Sequence, residues 1–279
     1  MTSWQSSNVA ANGIHLHVTR TGGEKPALVL VHGVTDSGLC WSPVAARLAT
    51  DYDVVMVDAR GHGQSDAPED GYDLITLADD LADDLAGVVQ ALELDRPLFI
   101  GHSLGAVTTL VMAARHPDVP RAIVLEDPPA WWVRSLDSES LPRSTGIRDW
   151  VIELKNKTRE QILAEGRAQN PLWSEAELAP WADSKVDVSA DAMVRLFTPN
   201  HTAGIVWDEL LRCITCPALA LTAELSLGGA LAPAGVEALR LLVPQLHAVH
   251  IADAGHNIRR EQFARYMDAV SSFLAVLPH

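Results

Sequence analysis

Three observations place this chain in the α/β class, with a mainly parallel sheet carrying helices on both faces. Short apolar runs alternate with amphipathic stretches along most of the sequence, which is the rhythm of buried parallel strands joined by covering helices. The apolar run Pro97-Leu98-Phe99-Ile100 passes through a glycine-flanked serine straight into the helix-forming run 106–115, giving strand, sharp turn and helix in that order. At 279 residues, 48% of them hydrophobic, the chain is long enough for one large core with an inserted subdomain, and its composition is not that of a disordered protein.

The elements follow in order. Runs 9–11 and 14–19 are separated by Asn12-Gly13, a dipeptide that favours a tight hairpin turn, so the sheet is entered through an antiparallel pair. Buried strands are expected at 27–31, 54–57, 97–100, 122–125, 218–222 and 248–251. Helices are expected at 42–49, 76–92, 104–115, 233–242 and 260–274. Between 128 and 212 there is no convincing buried strand, and a structureless loop of that length does not suit a compact domain. We therefore expect a core of residues 1–127 and 213–279 with a helical insertion at 128–212. The insertion holds six of the eight tryptophans, either as its own core or lining a binding pocket. Trp131 and Trp132, directly after a strand end, are the candidates for substrate contact.

Charge and cysteine content exclude several functions. Lysine and arginine number 21 against 36 acidic residues, a formal charge of -15, which argues against nucleic acid as a partner. Asp79, Asp80, Asp83 and Asp84 fall along one side of a helix and read as a solvated face. The N-terminal residues have neither a basic start nor an apolar stretch of signal-peptide length, and no run reaches the about 20 residues of a membrane span. A soluble cytoplasmic protein with no membrane partner is expected. Cys40, Cys213 and Cys216 are too few for a disulfide framework, and Cys213-Ile214-Thr215-Cys216 lacks a companion ligand pair for zinc. His15 with His17 and His247 with His250 likewise lack metal-ligand partners, so neither metal nor organic cofactor is expected.

Chemistry concentrates at predicted strand ends. In Gly101-His102-Ser103-Leu104-Gly105 the serine projects its hydroxyl from the turn, and the flanking glycines remove side chains that would collide there. A serine hydroxyl needs a base, for which histidine is suited by its pKa. Of eleven histidines, His256 in Ala254-Gly255-His256-Asn257 lies just beyond the last predicted strand, on the sheet edge where Ser103 also emerges. His32-Gly33-Val34 ends the first parallel strand. Its useful groups are amides: the Val34 and Leu104 N–H groups form a natural oxyanion hole for an acyl-transfer intermediate. His62 and His102 are assigned to structure.

With His32-Gly33, Asp58-Ala59-Arg60-Gly61-His62-Gly63-Gln64-Ser65, Gly101 to Gly105, Asp127-Pro128 and Gly255-His256 in this order, the chain resembles the α/β-hydrolase fold family, in particular its small, lidded esterase- or lipase-like members. The resemblance implies a Ser-His-acid triad and a helical lid between the sixth and seventh strands. It sets Ser103 apart from members that use an aspartate nucleophile, such as dehalogenases and epoxide hydrolases. In many relatives the acid is an aspartate after the strand corresponding to 217–222, whereas this chain reads Thr222-Ala223-Glu224-Leu225-Ser226. Glu224 is the carboxylate available there and is taken first, with Asp127 at the preceding strand end as its rival and Glu126 as a further alternative. Asp58 is expected to organise a loop.

The expected activity is cleavage of a carboxylic ester of a small, mostly apolar or aromatic substrate through an acyl-enzyme. A lactonase, amidase or C–C bond hydrolase would reuse the same triad. A small-molecule receptor on the same fold is the non-enzyme alternative.

Overall fold

Asn12 and Gly13 turn the chain back on itself with φ values of 47° and 79°, so β1 (Gln5–Ala11) and β2 (Ile14–Arg20) pair antiparallel with Ala11 opposite Ile14. The computed structural model describes residues 4–69, 74–133, 141–196 and 205–277. Six further strands follow: β3 (Ala27–Val31), β4 (Asp53–Val57), β5 (Leu98–His102), β6 (Ala122–Glu126), β7 (Ala218–Thr222) and β8 (Leu246–His250). They join the hairpin in one sheet of order β1-β2-β4-β3-β5-β6-β7-β8, parallel from β4 to β8.

Strands β3 to β7 are buried along their whole length, which is why they read as continuous apolar runs and not as alternating ones. Alternate residues nonetheless serve different layers. Val29, Val55, Phe99 and Ile123 face α2 (Leu74–Ala91) and α3 (Leu104–Arg115), whereas Leu28, Val54, Leu98 and Val124 face α1 (Ser42–Leu48) and the C-terminal helices. The single helix expected at 260–274 is two helices, because the backbone of Gln262 leaves the helical region at φ -132°, ψ 53°.

Between β6 and β7 lie α4 (Leu141–Leu154), α5 (Arg159–Gln169), α6 (Glu175–Asp187), α7 (Ala190–Leu196) and α8 (Trp207–Leu211). Thr158 and Gln161 start α5 with a reciprocal capping box. Trp173 and Trp181 meet edge to face at 5.9 Å and pack with Leu154, Ile162 and Leu178, so these two tryptophans are core of the helical layer. After β7 come α9 (Pro233–Leu242), α10 (Ile258–Glu261) and α11 (Phe263–Ala275).

Of the four aspartates expected on a solvated face of α2, Asp79 has its side chain outside the described residues and the other three are paired. Asp84 is buried and takes a bidentate pair from Arg60 at 2.7 Å, Asp80 also meets Arg60, and Asp83 meets His116 and Arg115. Helical spacing placed these carboxylates on one side, but that side faces cations supplied by distant segments. All three cysteines are free thiols, Cys216 buried and Cys213 exposed. Among the described residues no helix is long and apolar enough to cross a membrane.

Candidate active site

Parallel strands deliver their carboxyl ends to one edge, and β5 and β6 are neighbours there. Ser103 follows β5 in a left-handed conformation, φ 53° and ψ -119°, before α3 begins at Leu104. The turn closes only because its glycines carry no side chain: a Cβ on Gly101 would stand 2.3 Å from the Gly105 carbonyl oxygen. One on Gly105 would stand 2.4 Å from the carbonyl oxygens of Val31 and His32. Such a strained serine, half-buried at a strand end, presents its hydroxyl outward.

His256 reaches it from the loop after β8. Its Nε2 lies 2.9 Å from Ser103 Oγ, and its Nδ1 lies 2.6 Å from Asp127 Oδ2. An Nδ1–H donating to that carboxylate leaves the Nε2 lone pair for the hydroxyl proton. Asp127 is fully buried, and its carboxylate also accepts the backbone N–H groups of Ala230 at 2.7 Å and Leu231 at 3.0 Å.

The expectation that Glu224 stands behind the histidine is therefore corrected. The Glu224 N–H is tied to the Ala254 carbonyl, and its side chain turns along the sheet to the half-exposed His250, with Oε1 3.2 Å from Nε2. Asp127 holds the position because β6 is adjacent to the serine-bearing strand, and because the start of the 230–231 backbone cages its oxygens. Glu126, the third carboxylate considered, faces the other way onto Arg259.

His102 is buried, and its Nε2–H donates to the backbone carbonyl of His256 at 3.0 Å. Burial, with Arg259 and His256 adding to it, holds the His102 pKa well below the ordinary histidine value, so the ring stays neutral. His32 and His62 are neutral struts too. Each gives Nδ1–H to a carbonyl, of Gly33 and Arg60, and each accepts a backbone N–H at Nε2, from Ala59 at 3.0 Å and Thr35 at 3.2 Å. Burial, and then the neighbouring His32, push the His62 pKa down to about 3. Asp58 gathers the loops after β3 and β4 through the N–H groups of Gly38 and Gln64 and through His17 Nδ1.

Leu104 opens α3, so its N–H has no acceptor within the helix. Val34 lies in the loop after β3, and Gly33 beside it is close enough to Ser103 that an added Cβ would sit 3.1 Å from the serine Cβ. The side chains of Val34 and Leu104 pack together with Ala59 against Leu81, Val151, Val188, Ala192 and Met193. The inserted helices α4 and α7 thus cover the two residues expected to supply oxyanion donors.

Of the two tryptophans expected at the substrate, Trp132 is committed elsewhere: it is buried in the core and donates Nε1–H to the Gly235 carbonyl at 2.9 Å. It follows the strand end in sequence, but the chain turns it down onto α9. Trp131 remains half-buried at the edge of the same cluster. Among the described residues, no group of three or more His, Cys, Asp or Glu side chains is arranged to hold a metal.

Known proteins agree with this architecture. The chain is 31% identical over 268 residues to the N-formylmaleamate deformylase of Pseudomonas putida, covering 96% of this chain and 95% of that protein. The crystal structure of E-2-(acetamidomethylene)succinate hydrolase superposes over 98% of this chain and all of its own with a TM-score of 0.81 at 24% identity, a likeness of fold. The enol-lactonase of Burkholderia xenovorans LB400 is 25% identical with a TM-score of 0.72, over 96% of this chain and all of its own. Residues 26–258 match the family model of the alpha/beta hydrolase fold, and this chain is a hydrolase belonging to that family.

Proposed function

We propose that the protein is a serine hydrolase that cleaves a small carboxylic acid derivative through an acyl-enzyme, and that the scissile bond is the C–N bond of an N-acyl group. The observation that carries the serine mechanism is the unbroken relay from Ser103 Oγ to His256 Nε2 at 2.9 Å and from His256 Nδ1 to Asp127 Oδ2 at 2.6 Å. In this reading His256 takes the hydroxyl proton as Ser103 attacks the carbonyl carbon. The tetrahedral oxyanion rests on the Val34 and Leu104 N–H groups, preorganised donors that act where charge develops. His256, now an imidazolium held by Asp127, returns the proton to the departing nitrogen. Water attacks the acyl-enzyme by the same route and frees Ser103.

The nature of the leaving group distinguishes the possibilities. An amine leaves only when protonated, so an amide needs the general-acid half of this cycle more than an ester does. One relative matched along nearly its whole length is by name a deformylase, which supports an amide over the carboxylic ester that the sequence suggests. Similarity to an enol-lactonase supports an ester-type bond as the second reading. The described helices between β6 and β7 serve in this proposal as a lid over the site, with Trp131 at its rim; positions 134–140 and 197–204 of the expected 128–212 insertion lie outside the described residues.

The test pairs a fluorophosphonate label with a panel of N-formyl and N-acetyl amides and short-chain nitrophenyl esters, on wild type and Ser103→Ala. Labelling and turnover confined to wild type, with amides cleaved at higher kcat/KM, are expected. An unlabelled, inactive wild type would refute the serine mechanism, and turnover of esters alone would refute the amide assignment.

A further inference from the structure

Beside the relay lie six charged side chains, each at most 5% exposed: Asp36, Glu126, Glu177, Lys185, Arg259 and Arg260. Three are acidic and three basic, so the group is formally neutral. Its members come from the segments that carry Val34, Asp127 and His256 and from the insertion. Asp36 lies two residues after Val34, Glu126 directly precedes Asp127, and Arg259 and Arg260 follow His256 by three and four residues. Glu177 and Lys185 stand on the inserted helix α6.

Asp36 is the hub. Its Oδ2 accepts Arg260 Nη2 at 2.8 Å and Arg259 Nη2 at 3.3 Å, and its Oδ1 accepts Lys185 Nζ at 2.9 Å. Arg259 is shared with Glu126 at 3.1 Å, and Arg260 with Glu177 at 3.3 Å. Burial alone would raise the Asp36 pKa, but Arg260, Lys185 and Arg259 outweigh it and hold the carboxyl well below the usual range.

Lys185 does more than close an ion pair. Its ammonium also donates to the backbone carbonyl of Thr35 at 2.9 Å. Thr35 is β-branched yet sits at φ 66°, a conformation that persists only where the surroundings over-determine it. Here the Thr35 N–H is held by His62 Nε2 at 3.2 Å, its carbonyl by Lys185, and the next N–H, of Asp36, by the Gly33 carbonyl at 3.2 Å. The Val34 N–H lies inside this bracket. A buried ion pair by itself says little about function, since apolar replacements of such pairs are often neutral. A lysine donor placed on the carbonyl of a strained loop residue next to a candidate oxyanion donor says more.

We propose that Lys185, carried by the inserted helix α6, is a positioning residue that fixes the direction of the Val34 N–H through Thr35 and Asp36. The inference rests on the serine-hydrolase reading, in which that N–H receives the oxyanion. The insertion then completes the oxyanion loop, besides covering it.

The experiment uses the full chain with Lys185→Met, Lys185→Arg and the double variant Asp36→Asn/Lys185→Met, which also removes the carboxylate that Lys185 leaves behind. Amide hydrogen exchange is read at Thr35 and Asp36 with β5 as internal reference, together with the rate of Ser103 labelling by a fluorophosphonate and the thermal midpoint. In Lys185→Met, exchange at the two amides is expected to rise at least tenfold and labelling to slow at least tenfold. Lys185→Arg is expected to retain part of both. The double variant should regain thermal stability but neither protection nor labelling rate. Wild-type protection and labelling in folded Lys185→Met would overturn the proposal, as would a double variant in which rate and midpoint recover together. If Lys185→Met does not fold, the double variant is compared with Asp36→Asn by the same criteria. An unlabelled wild type would refute the serine reading, and the exchange result would still decide whether Lys185 holds the loop.

Discussion

Asp127→Asn isolates the charge behind His256 with little change of shape. In the proposed mechanism the imidazolium formed during acyl transfer faces a carboxylate oxygen 2.6 Å from Nδ1, carried by a fully buried aspartate. Two unit charges with centres about 4 Å apart at an effective dielectric of about 20 interact by about 4 kcal/mol. Losing that from the transition state corresponds to about a thousandfold in kcat. A second effect acts in the same direction: the carboxylate accepts Ala230 N–H and His256 Nδ1–H on Oδ2 and Leu231 N–H on Oδ1, so an asparagine in either orientation sets its NH2 against a donor, and with the NH2 on the Oδ2 side it favours the wrong His256 tautomer. The assay is steady-state hydrolysis of a nitrophenyl ester and the rate of fluorophosphonate labelling, for Asp127→Asn and Glu224→Gln in parallel, with thermal melts to show that each is folded. Glu224→Gln should stay within about twofold of wild type, because its partner is the half-exposed His250. If Asp127→Asn kept more than a tenth of wild-type activity while Glu224→Gln lost more than that, the assignment of the acid would fail.

Two further outcomes follow from the geometry around the serine. Gly105→Ala would press a methyl group onto two backbone carbonyls at 2.4 Å, and should lower stability by about 1–3 kcal/mol despite the better helix propensity of alanine. Gly146→Ala, with nothing within 4 Å, should instead raise the denaturation midpoint, and equal effects from the two would sink the steric account. The pH dependence of folding should carry the mark of His62, whose pKa falls from the ordinary 6.5 to about 3 in the fold. Because the folded state resists protonation, this contribution is complete above pH 6.5 and is lost progressively as pH falls toward 3. It amounts to about 2 kcal/mol at pH 5 relative to pH 7.5. Denaturant melts at the two pH values measure it, and a His62→Gln variant with an undiminished pH slope would assign the effect elsewhere.

Much of the architecture is legible in local patterns. Asn12-Gly13 announces its hairpin, and runs such as Ala27-Leu28-Val29-Leu30-Val31 announce strands buried on both faces. Ser103 is legible because a strained turn needs glycines at fixed offsets, and His256 because it follows a strand end. What local patterns lack is lateral information. Asp127 and Glu224 both follow strands, and only the side-by-side position of β5 and β6, with the caging N–H groups of Ala230 and Leu231, decides between them. Trp132 is misplaced for a related reason, since its acceptor is a carbonyl 103 residues away. Asp36 and Arg260 are 224 residues apart, and nothing in either neighbourhood marks them as partners. A glutamate closing the otherwise apolar run Ala122-Ile123-Val124-Leu125-Glu126 is the one local hint that charge is buried there.

The buried charges divide along the seam between core and insertion in a way that bears on how such proteins diversify. The core contributes Asp36, Glu126, Arg259 and Arg260, and the inserted helix contributes Glu177 and Lys185, so each side of the seam is neutral by itself. Parting the two layers, or grafting a foreign helical layer onto this core, separates dipoles and strands no net charge in either half. The electrostatic cost of such a part exchange is therefore short-ranged, set by a few hydrogen bonds, and insensitive to ionic strength. A seam of this kind lets the helical layer be rebuilt without stranding charge, provided the replacement again supplies a donor to the Thr35 carbonyl as Lys185 does.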